Sequence, residues 1–105
     1  MELDHLEKKA EQASALLKAM SNQSRLLILC QLNEGEKSVG ELERIVGLSQ
    51  SALSQHLARL RRDKLVKTRR EAQTIYYSLQ GEDALTVIKT LYDLYCCDEG
   101  NAVAA

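Results

Sequence analysis

The chain has 105 residues, with 14 Lys and Arg against 15 Asp and Glu, so its formal net charge is −1 and its length fits one domain with a modest core. The longest purely apolar run, Leu26–Cys30, is too short for a membrane span or a signal sequence, and we expect a cytoplasmic protein. The near-neutral charge argues at first sight against a nucleic-acid partner, because such partners usually select a strongly basic surface.

The first two predicted elements are helices. Apolar residues recur in steps of three and four along the first segment, at Leu3, Leu6, Ala10, Ala13, Leu17 and Met20. This spacing places them on one helical face. Ser21 and Asn22 interrupt the pattern and can cap a second helix at about Gln23–Leu32.

A helix-turn-helix unit is predicted next. Ser38 and Glu41 have the spacing of a capping box, which begins a third helix at about Val39–Val46. Gly47 and Leu48 form a short turn, and Ser49 can cap a fourth helix that reaches about Arg62. Two helices joined by a short turn that contains Gly are typical of this unit.

A β-hairpin and a last helix complete the predicted order α-α-α-α-β-β-α. Leu65–Arg70 and Thr74–Leu79 are rich in β-branched and aromatic residues and predict two strands joined by residues 71–73. The last helix runs from Gly81 to about Cys96, and its apolar stripe is wide enough to need a second subunit as well as its own core. We therefore expect one mainly α domain over 1–97, with a flexible tail over 98–105.

The charge is strongly segregated along the chain. Residues 59–70 hold seven basic side chains and one acidic, a net charge of +6, whereas the other 93 residues carry −7. An isolated basic run is usually a solvated surface. Here it follows a predicted helix-turn-helix unit, and that combination favours DNA binding.

The fourth helix supplies candidate base-reading residues. Leu53, Leu57 and Leu60 share one face, and short polar side chains lie on the other near the helix N-terminus: Gln50, Ser51, Ser54 and Gln55. Such groups read base edges in the major groove, although an ordinary solvated face is the alternative. His56 could contact a phosphate or be a plain surface residue.

The basic residues are candidates for contacts with the DNA backbone. Those at the end of the fourth helix are Arg59, Arg61, Arg62 and Lys64, which can bind phosphates and fix the register. In the hairpin we expect contacts from Arg69, Arg70 and Gln73. Some of these arginines could instead pair with Asp63 or Glu71.

The sequence resembles the winged-helix repressors of the ArsR/SmtB family over nearly its whole length. The stretches that carry the resemblance are Arg25–Leu29, Ser38–Leu42 and, most specifically, Leu48–Leu57. The resemblance implies a homodimer joined through the first and last helices and a palindromic operator with half-sites about 34–36 Å apart. The residues expected at that interface are Leu3, Leu6, Leu17, Leu85, Ile88, Tyr92 and Tyr95.

Family members release DNA when an inducer binds, and the chain departs from two familiar metal sites. The helix before the turn has no Cys, and the last helix has Asp93 but no His. We therefore expect no cofactor and no ordinary metal site. A metal- or metalloid-responsive repressor that uses the cysteines as soft ligands remains the alternative.

The three cysteines are Cys30, Cys96 and Cys97. The first two are placed as in the thiol-sensing branch of the family, where oxidants or persulfides link two cysteines by a disulfide or a bridge of extra sulfur atoms. The resemblance thus implies a repressor that leaves its operator when Cys30 and Cys96 are linked. The alternatives are that Cys30 is a small buried hydrophobe and Cys96 an idle thiol, or that Cys97 is the true partner.

Two other functional classes fit the sequence less well than DNA binding. A thiol redox enzyme is disfavoured because the chain lacks a Cys-x-x-Cys motif, and the adjacent Cys96 and Cys97 make a poor dithiol centre. A protein-interaction module that has lost DNA binding is disfavoured by the polar face of the fourth helix and by the basic run. We expect no enzymatic activity.

Overall fold

The five predicted helices and the hairpin are all present in the computed structural model, which describes residues 2–96. The elements in chain order are α1 Leu3–Met20, α2 Gln23–Asn33, β1 Lys37–Ser38, α3 Val39–Val46, α4 Gln50–Arg62, β2 Val66–Glu71, β3 Thr74–Leu79 and α5 Asp83–Tyr95. This is a winged helix-turn-helix fold, as predicted, with the short strand β1 in addition. Cys97 and the predicted tail 98–105 lie outside the described residues.

The predicted helix caps are confirmed. The side chain of Asn22 accepts a hydrogen bond from the Arg25 backbone N–H at 3.0 Å, at the start of α2. At α3, the Ser38 hydroxyl accepts from the Glu41 N–H, and the Glu41 carboxylate accepts from the Ser38 N–H. Ser49 accepts from the Ala52 N–H and begins α4. Each cap satisfies backbone donors that a helix N-terminus leaves free.

The core is aliphatic and is built from all five helices and the start of β2. Its buried side chains are Ala19, Met20, Ile28, Leu29, Leu32, Leu42, Leu53, Leu57, Leu60, Leu65, Val66, Ala84 and Ile88. The prediction that Ile88 lies at the dimer interface is therefore wrong. Ile88 is fully buried inside its own subunit and has no exposed surface that a partner could contact. It lies one helical turn from Ala84 on the inner face of α5.

The wing, which we define as the β2–β3 hairpin, belongs to a three-stranded antiparallel sheet in the order β1-β3-β2. Val66 pairs with Leu79 and Glu71 with Thr74, so the turn contains only Ala72 and Gln73. β1 was not predicted. It forms because Ser38, as the cap of α3, is already extended, and its strand supplies partners for the free edge of β3.

Two helix C-termini are closed by specific contacts. The guanidinium of Arg25 on α2 donates to the carbonyl oxygens of Ala19 at 2.6 Å and Lys18 at 3.3 Å, which caps the end of α1. At the end of α4, Leu65 N–H donates to the Leu60 carbonyl and Lys64 N–H to the Arg61 carbonyl. This Schellman motif directs the chain from α4 into the wing.

Candidate nucleic-acid interface

The two faces of α4 differ as predicted. Leu53, Leu57 and Leu60 are buried in the core, and the four candidate base-reading residues, Gln50, Ser51, Ser54 and Gln55, are all exposed. They lie in the first half of the helix, after the Ser49 cap. Because short polar groups at this position can enter a major groove, the helix presents a surface suited to reading base edges. His56 is half-buried beside this face.

An open groove of about 630 Å³ separates α4 from the wing. Gln50, Ser54 and Arg61 line its helix side, and Ile75 and Tyr77 line its wing side. The register pairs Arg70 with Ile75. Directly opposed residues lie on the same face of a sheet, so Arg70 shares the face that looks toward α4. Gln73 lies in a second, smaller depression between the wing turn and Ser38.

The basic residues divide into paired and unpaired groups. Asp63 binds Arg59 at 3.1 Å and Arg62 at 3.7 Å, at the end of α4. Within residues 2–96, no ion pair is formed by Arg61, Lys64 or Arg70. These three charges are therefore available to a phosphate backbone without breaking an internal pair.

Arg69, which was predicted to contact DNA, is fully engaged inside the chain. Its Nε and Nη2 donate to the two carboxylate oxygens of Glu36, both at 2.8 Å, and its Nη1 donates to Glu71 at 2.8 Å. The guanidinium carbon also lies 4.4 Å from the ring centre of Tyr76. The hydrogen bond from Arg69 lowers the pKa of Glu36, and the same bonds raise the pKa of Arg69.

Sequence reasoning missed Glu36, which lies between the predicted second and third helices. Glu36 and Arg69 are 33 residues apart in sequence. Their pairing depends on β1 lying beside β3, and β1 itself was not predicted. The only local signal was the position of Glu36 two residues before the cap residue Ser38.

The two described cysteines are free thiols, and both are partly buried. Cys30 lies in α2, and Cys96 is the residue that ends α5. Burial raises the pKa of the Cys30 thiol, and the nearby Cys96 and Glu34 raise it further. Because α2 and α5 pack together, the two thiols belong to neighbouring helices. The part of the chain that the structure describes holds no group of three or more His, Cys, Asp and Glu side chains suited to a metal.

Large apolar side chains remain exposed on the first and last helices. Leu3, Leu6 and Leu17 are about half or more exposed on α1, and Tyr92 and Tyr95 are similarly exposed on α5. Leu85, also predicted for the dimer interface, is partly buried. An exposed apolar surface of this kind is typical of a protein interface. None of the described helices is long and apolar enough to cross a membrane.

Known proteins have sequences similar to this one. The chain matches the family described as bacterial regulatory protein, arsR family, over residues 22–68, from the cap of α2 into β2. The transcriptional activator HlyU of Vibrio cholerae is 55% identical over 96 residues, which are 91% of this chain and 89% of that protein. The biofilm growth-associated repressor of Xylella fastidiosa is 41% identical over 102 residues, which are 97% and 90% of the two chains.

Solved structures share the fold. Reduced HlyU from Vibrio cholerae matches with a TM-score of 0.86 at 55% identity, over 90% of this chain and 99% of that one. The homodimeric winged helix-turn-helix DNA-binding domain of Mb0332 from Mycobacterium bovis matches with a TM-score of 0.77 at 29% identity, over 94% and 90%. The chain therefore belongs to the arsR family of bacterial regulatory proteins and is a transcriptional regulator built on a DNA-binding winged helix-turn-helix fold, not an enzyme.

Proposed function

We propose that this regulator is a homodimeric repressor that leaves a palindromic operator when Cys30 and Cys96 become linked through sulfur. The observation that carries the proposal is the placement of the thiols: one lies in α2, the other ends α5, and the two helices pack together. A bond between them would join the helix that precedes the helix-turn-helix unit to a helix of the proposed dimer interface.

The operator contacts follow from the exposed side chains. Gln50, Ser51, Ser54 and Gln55 of α4 would read bases in the major groove. The unpaired charges of Arg61, Lys64 and Arg70 would bind phosphates on both sides of the groove between α4 and the wing. Two copies of α4 in a dimer would then fit two half-sites about 34–36 Å apart.

The dimer would form through α1 and α5. Their exposed Leu and Tyr side chains supply the apolar surface that a second copy can cover. A homodimeric relative with the same fold supports the formation of a dimer. The names of the relatives include both an activator and a repressor, so the sign of regulation belongs to the proposal.

The chemistry of the link needs only the two thiols and a sulfane-sulfur donor. A hydropersulfide RSSH transfers its outer sulfur to one thiolate, which yields a cysteine persulfide and releases RSH. The second thiolate attacks the inner sulfur of that persulfide, forms the disulfide and expels hydrosulfide. If both cysteines first become persulfides, their condensation leaves one extra sulfur in the bridge and releases hydrogen sulfide.

The link would affect DNA binding through α2. This helix contacts α3 and α4 as well as α5, so it lies between the thiol pair and the candidate base-reading residues. A covalent bond that shifts α2 against α5 would change the angle of α4 relative to the dimer interface. Because operator binding needs two recognition helices at a fixed spacing, a small change of this angle weakens binding to both half-sites together.

The test is operator binding before and after treatment with an organic hydropersulfide. The operator would be obtained by selecting duplexes from a random-sequence library with the reduced protein. We expect the treated wild type and the control Cys97→Ser to release the duplex, whereas Cys30→Ser and Cys96→Ser retain it. Mass spectrometry of the treated protein should show peptides that contain Cys30 and Cys96 joined by two or more sulfur atoms.

Three outcomes would count against the proposal. Undiminished binding by the treated wild type removes the thiol switch. Equal release by the wild type and by Cys30→Ser removes Cys30 from it. Release by the wild type but not by Cys97→Ser assigns the switch to Cys97.

A further inference from the structure

The Arg69 side chain crosses the whole sheet. Arg69 lies on β2, and its guanidinium stacks on Tyr76 of the central strand β3. Its Nε and Nη2 bind the carboxylate of Glu36, just before β1. Its Nη1 donates to the carboxylate of Glu71, two residues further along β2. We call this set of contacts among Arg69, Glu36, Glu71 and Tyr76 the Arg69 strap.

The far end of the strap is attached to the helix-turn-helix unit. Glu36 directly precedes β1, whose second residue, Ser38, caps α3. All three guanidinium nitrogens of Arg69 donate hydrogen bonds of 2.8 Å. The two that bind the Glu36 carboxylate form a bidentate ion pair, a geometry that is stronger than that of an ordinary surface pair. The strap therefore joins the wing to the start of α3.

The strap lies on the opposite face of the wing from the groove. Arg69 pairs with Tyr76, whereas Ile75 and Tyr77, which line the groove beside α4, point to the other face because neighbouring residues of a strand alternate. Arg70, the next residue, pairs with Ile75 and forms no ion pair within residues 2–96. The two adjacent arginines thus differ in both face and pairing.

We propose that Arg69 is a positioning residue that fixes the wing relative to α3 through Glu36, and that the adjacent Arg70 makes the wing's contact with the DNA backbone. The proposal rests on the proposed operator binding by α4 and the wing. It reassigns Arg69, which sequence reasoning had placed among the DNA contacts, and it gives Glu36 a role in operator affinity although Glu36 is acidic.

The first arm of the test compares Glu36→Gln with Glu34→Gln. Both variants remove one negative charge from the same loop region, but Glu34 forms no ion pair within the described residues. We expect Glu36→Gln to bind the selected duplex roughly fivefold more weakly than Glu34→Gln, at the upper range for an exposed ion pair of good geometry. Amide hydrogen exchange over residues 66–79 should be faster in Glu36→Gln and unchanged in Glu34→Gln.

The second arm compares Arg70→Gln with Arg69→Gln through the salt dependence of binding. Affinity falls as salt rises, and loss of one phosphate contact makes the slope of log affinity against log salt less steep by about 0.9 for each protomer. We expect this change for Arg70→Gln. Arg69→Gln should weaken binding and speed hydrogen exchange in the wing with the slope unchanged, because its charge is already compensated by two carboxylates.

The two arms separate the failure of the strap from the failure of operator binding. Tighter binding by Glu36→Gln than by Glu34→Gln, or a lower slope for Arg69→Gln, overturns the positioning role. An unchanged slope for Arg70→Gln overturns the assignment of Arg70. If the wild type selects no duplex, the proposed function fails, and equal wing exchange in Glu36→Gln and Glu34→Gln would then overturn the strap as well.

Discussion

Lys64 occupies a backbone position that favours glycine. Its φ is 62°, in the left-handed region, because the Schellman motif at the end of α4 needs that conformation at the residue after the helix cap. The structure keeps a lysine there although its Cβ makes the conformation costly. The side chain is exposed and forms no ion pair within residues 2–96, and its charge lies three residues after Arg61, at the end of α4.

Replacing Lys64 with glycine should stabilise the protein and weaken its DNA binding. The relief of left-handed strain exceeds the greater freedom of glycine in the unfolded chain, so we expect Lys64→Gly to raise the free energy of unfolding by about 1 kcal/mol. Thermal unfolding at fixed protein concentration measures it, as a rise of the melting temperature by about 4–8 °C. The control Lys64→Ala removes the same charge but keeps the Cβ, so a matching rise in Lys64→Ala would contradict the explanation.

The reactivity of Cys30 should depend on its neighbours. Its pKa is raised by burial first, and then by Cys96 and Glu34, so the reactive thiolate is scarce at neutral pH. The variant Glu34→Gln removes one of these causes and should lower the pKa. We expect faster alkylation of Cys30 by iodoacetamide at pH 7 in this variant than in the wild type. The difference should disappear at high pH, where the Cys30 thiol is ionised in both proteins. Peptide mass spectrometry measures the rate for each cysteine, and an unchanged rate at pH 7 would contradict the effect of Glu34.

At the scale of elements, the helices could be predicted because their signals are local. Asn22, Ser38 and Ser49 are capping residues, and each begins a helix where the sequence indicated. The hairpin was also predicted, although its turn lacks Gly and Ala72 adopts a φ of 56°. β1 and the Arg69 strap could not be predicted in the same way. Both depend on residues 37 and 38 lying beside β3, a pairing across about 40 positions that no short pattern encodes.

The capping box of α3 gives a stability effect that depends on pH. Hydrogen bonds from Ser38, its backbone N–H first and its side chain second, lower the pKa of Glu41 below its ordinary value of about 4.5. A carboxylate with a lowered pKa in the folded state stabilises the fold above its unfolded pKa, and this contribution is lost as the pH falls through the folded value. We therefore expect Glu41→Ala to melt below the wild type at pH 7, with the gap shrinking below about pH 4.5.

The matched control for this experiment is Glu43→Ala, which removes a carboxylate from the same helix without touching the cap. Its melting temperature should differ less from the wild type at pH 7. Thermal unfolding followed by circular dichroism between pH 3 and pH 7, on all three proteins, gives the comparison. If the difference in melting temperature between Glu41→Ala and the wild type stays constant over this range, the ionised carboxylate of Glu41 is not the group that stabilises the cap.

At the scale of the whole molecule, the segregated charge predicted from the sequence becomes a directional surface. The +6 run of residues 59–70 extends from the last turn of α4 along β2, almost to the turn of the wing. Part of this charge is neutralised internally, through Asp63 at the helix end, through Glu36 just before β1 and through Glu71 on the wing. The positive charge left for DNA therefore includes Arg61 on the helix side of the groove and Arg70 on its wing side. The acidic remainder of the chain disfavours indiscriminate binding.

This directional surface can reach two half-sites only if two copies of the chain assemble into a dimer. Leu17 is 55% exposed on α1 and should be covered by a second copy. Leu17→Glu replaces an apolar contact by a charge at two symmetry-related places, at a cost of about 2 kcal/mol for each copy, so the dimer dissociation constant should rise roughly a thousandfold. Sedimentation equilibrium should find monomers at concentrations where the wild type is dimeric. Operator affinity should fall with it, because one recognition helix cannot span two half-sites.

Ile45→Glu is the matched control for Leu17→Glu. Ile45 is 49% exposed but lies on α3, which is not one of the two helices of the proposed interface, so the same apolar-to-acidic change there should leave the protein dimeric. This comparison separates a specific interface from a general effect of adding charge to an apolar surface. Dimers of Leu17→Glu as stable as the wild type would place the interface elsewhere. The proposed thiol switch would act by changing the angle between α4 and that interface, so the proposed release of DNA would then need a different mechanism.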